Sequence, residues 1–344
     1  MSRPIAWGIV GTGSIARQFA ADLALLPDAS LIGICSRDLG KAKAFQTEFR
    51  AERPYSEFDA MLADPGIELI YIATPNALHA DQALRAIAAG KAVLVEKPLA
   101  TSVVDAERIR REAAAKNGFA MEGMWTRFLP AVRAAKRLVE NGAIGEVRRV
   151  QAELSYRRSE SAESRFFRPE LGGGAALDLG VYPLSLALHF LGRSAKVSGR
   201  TVAAKSGVDL RSEFSLDFVS GAKAELCCGF DRDGGNQFVI EGSEGVLVLD
   251  APFLKAQRLL RFSQKAYAMT PKVGGAGILA KLARRLPLPG RYVQHFPFAG
   301  NGLQFEAAAV MEAVRRRETG AGIMPLSESV EVLRIVEAVA GRRG

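Results

Sequence analysis

Three side chains in this sequence have the types needed to move a proton at a hydroxyl group: Lys97, Asp178 and Tyr182. Lys97 closes the apolar run Ala92-Val93-Leu94-Val95 in the string Glu96-Lys97-Pro98. The proline holds the residue before it extended, so Lys97 is expected to project from the carboxyl end of a buried strand. That edge is where open α/β sheets bind ligands. Asp178 and Tyr182 stand four residues apart, downstream of Gly172-Gly173-Gly174. A helix running to His189 places them on one polar face with Ser185, opposite Leu177, Val181, Leu184 and Leu188. Pro183 removes one helical hydrogen bond, so this helix must start late or kink there. The bare residues also fit a solvated strand-end lysine and an interior tyrosine whose hydroxyl donates to Asp178.

The elements that must position these groups begin at the amino end. The run Ala6-Trp7-Gly8-Ile9-Val10 reads as a strand, Gly11-Thr12-Gly13-Ser14-Ile15-Ala16 as a glycine turn, and the stripe Ile15, Phe19, Leu23 as a helix. In that order Gly11 permits the tight turn and Gly13 lets backbone approach a pyrophosphate. The N–H groups at Ser14 and Ile15 face its oxygens. The second strand, Leu31 to Cys35, ends in Ser36-Arg37-Asp38 where an adenosine ribose is expected. Ser36, Arg37 and, a turn on, Lys41 favour a 2′-phosphate and hence NADP, with NAD the alternative. Asp38 suits the N-cap of the helix that follows. Glu68 to Ala73 is a third strand, and Thr74-Pro75-Asn76 with His79 opens the next helix on the same sheet edge as Lys97. His79 fits either a cofactor-lining role or a hydrogen bond to its own helix start.

Strand–helix alternation of this length predicts a doubly wound parallel sheet of Rossmann type over residues 1–122. From Glu146 onward the pattern turns β-rich, with strands at Val147–Tyr156, Ala195–Ala203, Ser212–Phe218, Ala222–Phe230 and Gln237–Leu249. Residues 123–344 are therefore expected to form an α+β domain with a large, mostly antiparallel open sheet. The chain of 344 residues suits two such cores. Its 46 basic against 37 acidic side chains are dispersed, which weighs against nucleic acid. The exceptions are Arg315-Arg316-Arg317, at an expected helix end, and the stretch Lys255 to Arg291; within the basic segment 263–295, Gly277 to Leu286 can form an amphipathic helix for a surface loop, a dimer contact or weak contact with anionic membrane. Cys35, Cys227 and Cys228 lack metal-ligand spacing, so no metal is expected. No segment approaches the uninterrupted apolar length of a bilayer crossing, and Met1-Ser2-Arg3-Pro4 lacks a secretory pattern, so a cytoplasmic protein is expected.

Together the glycine turn, Thr74-Pro75-Asn76 with His79, Glu96-Lys97-Pro98, and Gly172-Gly173-Gly174 with Asp178 and Tyr182 resemble the glucose-fructose oxidoreductase, inositol dehydrogenase and rhizopine catabolism family. Trp125-Thr126-Arg127-Phe128 and a tyrosine at 182 are more similar to its dihydrodiol dehydrogenase and NADP-dependent D-xylose dehydrogenase branch. The resemblance implies hydride transfer between nicotinamide and a carbinol of a sugar, anhydro-sugar or cyclic diol, and a homodimer formed through the open sheet. It implies Lys97, Tyr182 and Asp178 as catalytic residues, and Thr74, Pro75, Asn76, His79 and Glu96 beside the cofactor. Trp125, Arg127 and Phe128 would wall the substrate pocket, and the helix 326–340 would pack back on the first domain. A lysine ammonium about 4 Å from a phenol at an effective dielectric near 20 favours phenolate by roughly 4 kcal/mol, or about three pKa units. Sequence alone leaves open whether Lys97 or Tyr182 accepts the proton. The scaffold also admits a non-catalytic sugar-sensing regulator or an NAD-dependent glycosidase.

Overall fold

In a computed structural model, which describes residues 3–270 and 289–341, the alternation of the first third becomes one six-stranded sheet. Its strands are β1 (Ile5–Val10), β2 (Ala29–Cys35), β3 (Arg53–Tyr55), β4 (Leu69–Ile72), β5 (Ala92–Glu96) and β6 (Ala120–Gly123), in the order β3-β2-β1-β4-β5-β6. Every pairing is parallel. Crossovers run through α1 (Ser14–Leu23), α2 (Leu39–Phe49), α3 (Phe58–Leu62), α4 (His79–Ala88) and α5 (Val103–Ala115). Helices on both faces explain why β4 is buried throughout and reads as an unbroken apolar run. The strand order reverses between β1 and β4, and the loops after β1, β4 and β5 converge on the carboxyl edge at that point.

Aromatic packing beneath that edge fixes one carboxylate. Tyr71 of β4 stacks on Phe19 of α1 with ring centroids 3.7 Å apart. A buried tyrosine hydroxyl needs a partner, and it donates to Glu96 on the neighbouring strand.

The second sheet has eight strands in the order β14-β13-β12-β11-β7-β10-β9-β8. These are β7 (Val147–Ser155), β8 (Ser194–Ala203), β9 (Asp209–Phe218), β10 (Lys223–Gly229), β11 (Phe238–Gly242), β12 (Gly245–Leu249), β13 (Arg258–Ser263) and β14 (Arg291–His295). All pairings are antiparallel except β7 with β10. The single strand expected over Gln237–Leu249 is two, turning at Ser243-Glu244. β13 and β14 extend the sheet beyond the strands the sequence pattern predicts, and the amphipathic helix expected at Gly277–Leu286 lies outside the described residues.

Burial alternates along β9, as a one-sided sheet requires. The covered face meets α6 (Pro130–Glu140) and α7 (Val181–Leu191). One stretch, Pro169–Leu191, does reach the length and apolarity of a bilayer crossing, contrary to the expectation from composition. Most of its apolar window is buried inside the protein, so its hydrophobicity is that of a core helix.

The chain's end braces both sheets. In the helix Leu326–Ala340, Glu337 accepts from the Val103 N–H at the start of α5, 2.7 Å, while the Val339 carbonyl accepts from Thr201 of β8. Just ahead of the helix Gln304–Arg315, the N–H groups of Asn301 and Leu303 donate to buried Asp22 of α1.

Candidate active site

The turn after β1 has the shape a dinucleotide phosphate requires. Gly11 has φ +106°, and a Cβ there would meet the Ala73 carbonyl oxygen at 2.5 Å, so only glycine fits. A Cβ at Gly13 would meet nothing within 4 Å, which leaves open space in front of α1. No side chain caps α1, and its first turn carries no acidic residue. The unclaimed N–H groups at Ser14 and Ile15 therefore face that space as an anion cradle. These residues fit a bound nicotinamide dinucleotide.

At the end of β2, Asp38 accepts from the Lys41 N–H and caps α2, as its position suggested. The Ser36 hydroxyl accepts from the Asp38 N–H. Arg37 is exposed and has no carboxylate partner among the described residues. Among the described residues Lys41 pairs with Asp38 alone, at 4.0 Å. The cationic groups at this strand end thus outnumber the acidic one.

Lys97 stands where the proline rule placed it, just past β5, across a cis bond to Pro98. Its ammonium donates to the main-chain oxygen of Asp178 at 2.7 Å and to its carboxylate at 3.2 Å. The same nitrogen lies 4.9 Å from the centroid of the Tyr182 ring. Lys97 therefore shares one small volume with two groups remote from it in sequence, Asp178 and Tyr182, with Lys97 13% and Asp178 9% exposed at their side chains.

Local backbone explains the convergence. Ala176–Gly180 forms one π-helical turn that runs unbroken into α7 at Val181, so the chain accommodates Pro183 by a local π turn rather than by the late start or kink expected. Pro183, five residues after Asp178, offers no N–H to continue the π pattern. Lys97 takes up the Asp178 carbonyl instead.

Electrostatics set the protonation states. Burial would lower the Lys97 pKa, but Asp178, with Tyr182 and Glu96 behind it, raises it to about 12. Burial also opposes charge on Asp178, yet Lys97 and Arg165 prevail and hold it below its usual range. Tyr182 is pushed up to about 12 by burial, against the pull of Lys97. The lowering towards neutrality expected from the lysine is present in sign and outweighed by desolvation. At neutral pH the trio is ammonium, carboxylate and neutral phenol.

Several expected site residues have other duties. His79 is fully buried, one ring nitrogen 2.8 Å from the Pro98 carbonyl and the other 3.0 Å from the Thr74 carbonyl. It ties the Thr74 loop to the turn that carries Lys97. Thr74 bonds Gln82, Pro75 is exposed, and buried Asn76 donates to the Gly172 carbonyl at 3.2 Å, bridging to the glycine run. Glu96, expected at the cofactor, is buried and accepts from the Tyr71 hydroxyl and the Lys97 N–H. It supports the backbone of Lys97 from behind. Two more buried carboxyls, Glu122 and Glu306, lie nearby, and burial raises the pKa of all three.

Of the three proposed pocket walls, only Trp125 reaches the trio, donating its indole N–H to the Tyr182 hydroxyl at 3.2 Å. Phe128 packs in the core. Arg127 is wholly enclosed: it bonds the Ser185 hydroxyl at 2.8 Å, the Ser185 carbonyl at 2.6 Å and the Ile323 carbonyl at 2.9 Å, and pairs with Glu328 at 2.6 Å. These contacts clamp α7 to the chain's last helix. Arg127→Ala is expected to destabilise the fold by about 3 kcal/mol in denaturant titrations, with unfolding cooperative in both proteins. Two cations that sequence reasoning passed over stand close by: Arg165, 3.5 Å from the Asp178 carboxylate, and Arg158.

Comparison with known proteins gives the site its frame. Residues 5–124 match the oxidoreductase family with an NAD-binding Rossmann fold, and residues 132–248 match the GFO/IDH/MocA C-terminal domain. The chain belongs to the Gfo/Idh/MocA oxidoreductase family. It is similar to trans-1,2-dihydrobenzene-1,2-diol dehydrogenase of Bos taurus, 28% identical over 345 residues that cover 97% of this chain and 95% of the relative. Among solved structures it resembles KijD10, a 3-ketoreductase from Actinomadura kijaniata in complex with NADP and TDP-benzene: TM-score 0.80, 26% identity, with 98% of this chain and 97% of that one covered. Levoglucosan dehydrogenase in complex with NADH and levoglucosan shares the fold, with TM-score 0.85 at 21% identity, covering 98% of this chain and 97% of that one. As a Gfo/Idh/MocA member the protein is an oxidoreductase with a nicotinamide dinucleotide cofactor.

Proposed function

We propose that the protein transfers hydride between NADP and a carbinol or carbonyl carbon of a sugar, anhydro-sugar or cyclic diol. The observation that carries this reading is the Lys97 ammonium held between Asp178 and the Tyr182 ring, on the sheet edge that also holds the glycine turn. The named activities of two relatives, a dihydrodiol dehydrogenase and a 3-ketoreductase, support the substrate class.

When bound, nicotinamide supplies or accepts the hydride. The chain's own groups manage the proton. In carbonyl reduction the neutral phenol of Tyr182 donates its proton to the substrate oxygen as charge develops there, with Lys97 as a second, cationic donor. In alcohol oxidation Tyr182 accepts the proton. Asp178 keeps the ammonium charged and aimed. Trp125, bonded to the phenol oxygen, fixes its direction.

Steady formation of reduced cofactor from a panel of pentoses, hexoses, anhydro-sugars and trans-diols tests the reading. Dinucleotide binding without turnover of any of them would favour a sugar-sensing regulator, and cofactor that never leaves the protein would favour a glycosidase. NADP preference rests on Arg37, with Asp38 occupied at its helix cap. Arg37→Ala should lower kcat/KM for NADP by about 10–100-fold relative to NAD. A wild-type preference for NAD that survives the substitution would reverse the assignment.

The open face of the eight-stranded sheet bears a groove of about 740 Å³, flanked by Arg149, Gln151, Val239 and Leu260. We assign this face to a homodimer interface, to be checked by sedimentation.

A further inference from the structure

We infer that the substrate carries an anionic group, a carboxylate or a phosphate ester, which Arg158 and Arg165 receive; this rests on the dehydrogenase reading above. Arg165 lies in the short helical turn Arg165–Phe167, 51% exposed at its side chain, and its one ion-pair contact among the described residues is the 3.5 Å approach to the Asp178 carboxylate. That same oxygen already holds Lys97 at 3.2 Å. One carboxylate between two cations leaves a positive excess. Arg158 adds to it. Its Nε is buried without a hydrogen-bond partner, and it forms no ion pair among the described residues.

The two guanidinium groups are held together by one ring. Arg158 lies 3.8 Å and Arg165 4.3 Å from the centroid of Phe166, and Arg158 also approaches Phe230 at 5.5 Å. Aromatic faces tolerate a guanidinium but do not replace its lost hydration. A partly desolvated arginine with no anion beside it gains most when an anion arrives. Both arginines sit within electrostatic reach of Asp178, where burial opposes charge and Lys97, Arg165 and Arg158 favour it. An anionic substrate would draw Arg165 from Asp178 and leave that carboxylate to Lys97. The effect should therefore appear mainly in KM.

Initial rates with NADP on glucose, glucuronate and glucose 6-phosphate test this in the wild type and in Arg158→Gln, Arg165→Gln and Arg165→Lys. The expected result is a kcat/KM for at least one anionic sugar roughly tenfold or more above glucose, falling towards unity in either glutamine variant and partly restored by lysine. Preference for glucuronate alone identifies a carboxylate site, and preference for the phosphate ester alone a phosphate site. Turnover of all three sugars at equal efficiency, or a preference unchanged in both glutamine variants, overturns the inference and leaves the dehydrogenase reading standing. Absence of turnover with these three sugars and with the wider panel of pentoses, anhydro-sugars and trans-diols sinks that reading instead. A thermal shift of the NADP-loaded protein then decides the anion site on its own: it should rise with glucuronate or glucose 6-phosphate but not glucose, and the rise should vanish in Arg158→Gln. No rise with either anion overturns the inference.

Discussion

Replacing Tyr182 with phenylalanine is expected to lower kcat by about 10²–10⁴-fold, the usual contribution of a positioned acid or base. The fold should survive it. Tyr182 is packed in the core, and its hydroxyl makes one bond among the described residues, accepting from Trp125. Its loss costs about 1 kcal/mol, which denaturant titration would resolve. The pH dependence carries the sign. Burial outweighs Lys97 and holds the phenol up to about 12, so the proton stays on through the neutral range. Carbonyl reduction, which uses that proton, should be flat from neutral to mildly alkaline pH. Alcohol oxidation needs the deprotonated form, and its logarithmic rate should climb with a slope near one per pH unit over the same range. Tyr182→Phe should abolish the slope. A phenylalanine variant keeping more than a tenth of wild-type turnover, or keeping the slope, would remove Tyr182 from the proton path.

The parts of this site legible in the sequence are those set by local backbone rules. A proline after an apolar run delivered Lys97 to a strand end, and the glycine spacing before α1 produced a turn in which a Cβ at Gly11 would collide with the Ala73 carbonyl. Arg127 was not legible, because its partners Ser185, Ile323 and Glu328 come from distant segments. An arginine amid aromatics looks like a pocket wall until those partners are seen. The bond Glu96 accepts was not legible either, since the hydroxyl that donates it belongs to the neighbouring strand. For Tyr182 the Coulomb pull of Lys97 could be anticipated from the pairing, but its desolvation depends on everything packed around it. Arg158 and Arg165 fall in an irregular segment where no periodicity says which way a side chain faces. Arg165 adjoins Phe166 in the sequence, but nothing there brings Arg158 to the same ring.

Lys97→Met tests the other half of the trio, and its two effects can be separated. Removing a donor aimed at a developing alkoxide should lower kcat by about 10²–10³-fold. It also strands the Asp178 carboxylate, which has lost its nearer cation and keeps only the longer contact to Arg165. Breaking a buried pair costs about 3–5 kcal/mol, and with Arg165 still in place about 2 kcal/mol is expected here. The sign with pH follows from the raised lysine pKa. The pairing stabilises the fold in full below the unfolded-state value, near 10.4. That stability is lost as pH climbs through about 12, so the variant and the wild type should converge in alkaline denaturant titrations. Adding Asp178→Asn to Lys97→Met removes the stranded charge. The double variant should regain most of the lost stability while turnover stays low, because the donor to the substrate oxygen is still missing. If turnover returned with stability, the lysine would serve only to neutralise Asp178, and the proton chemistry would belong to Tyr182 alone.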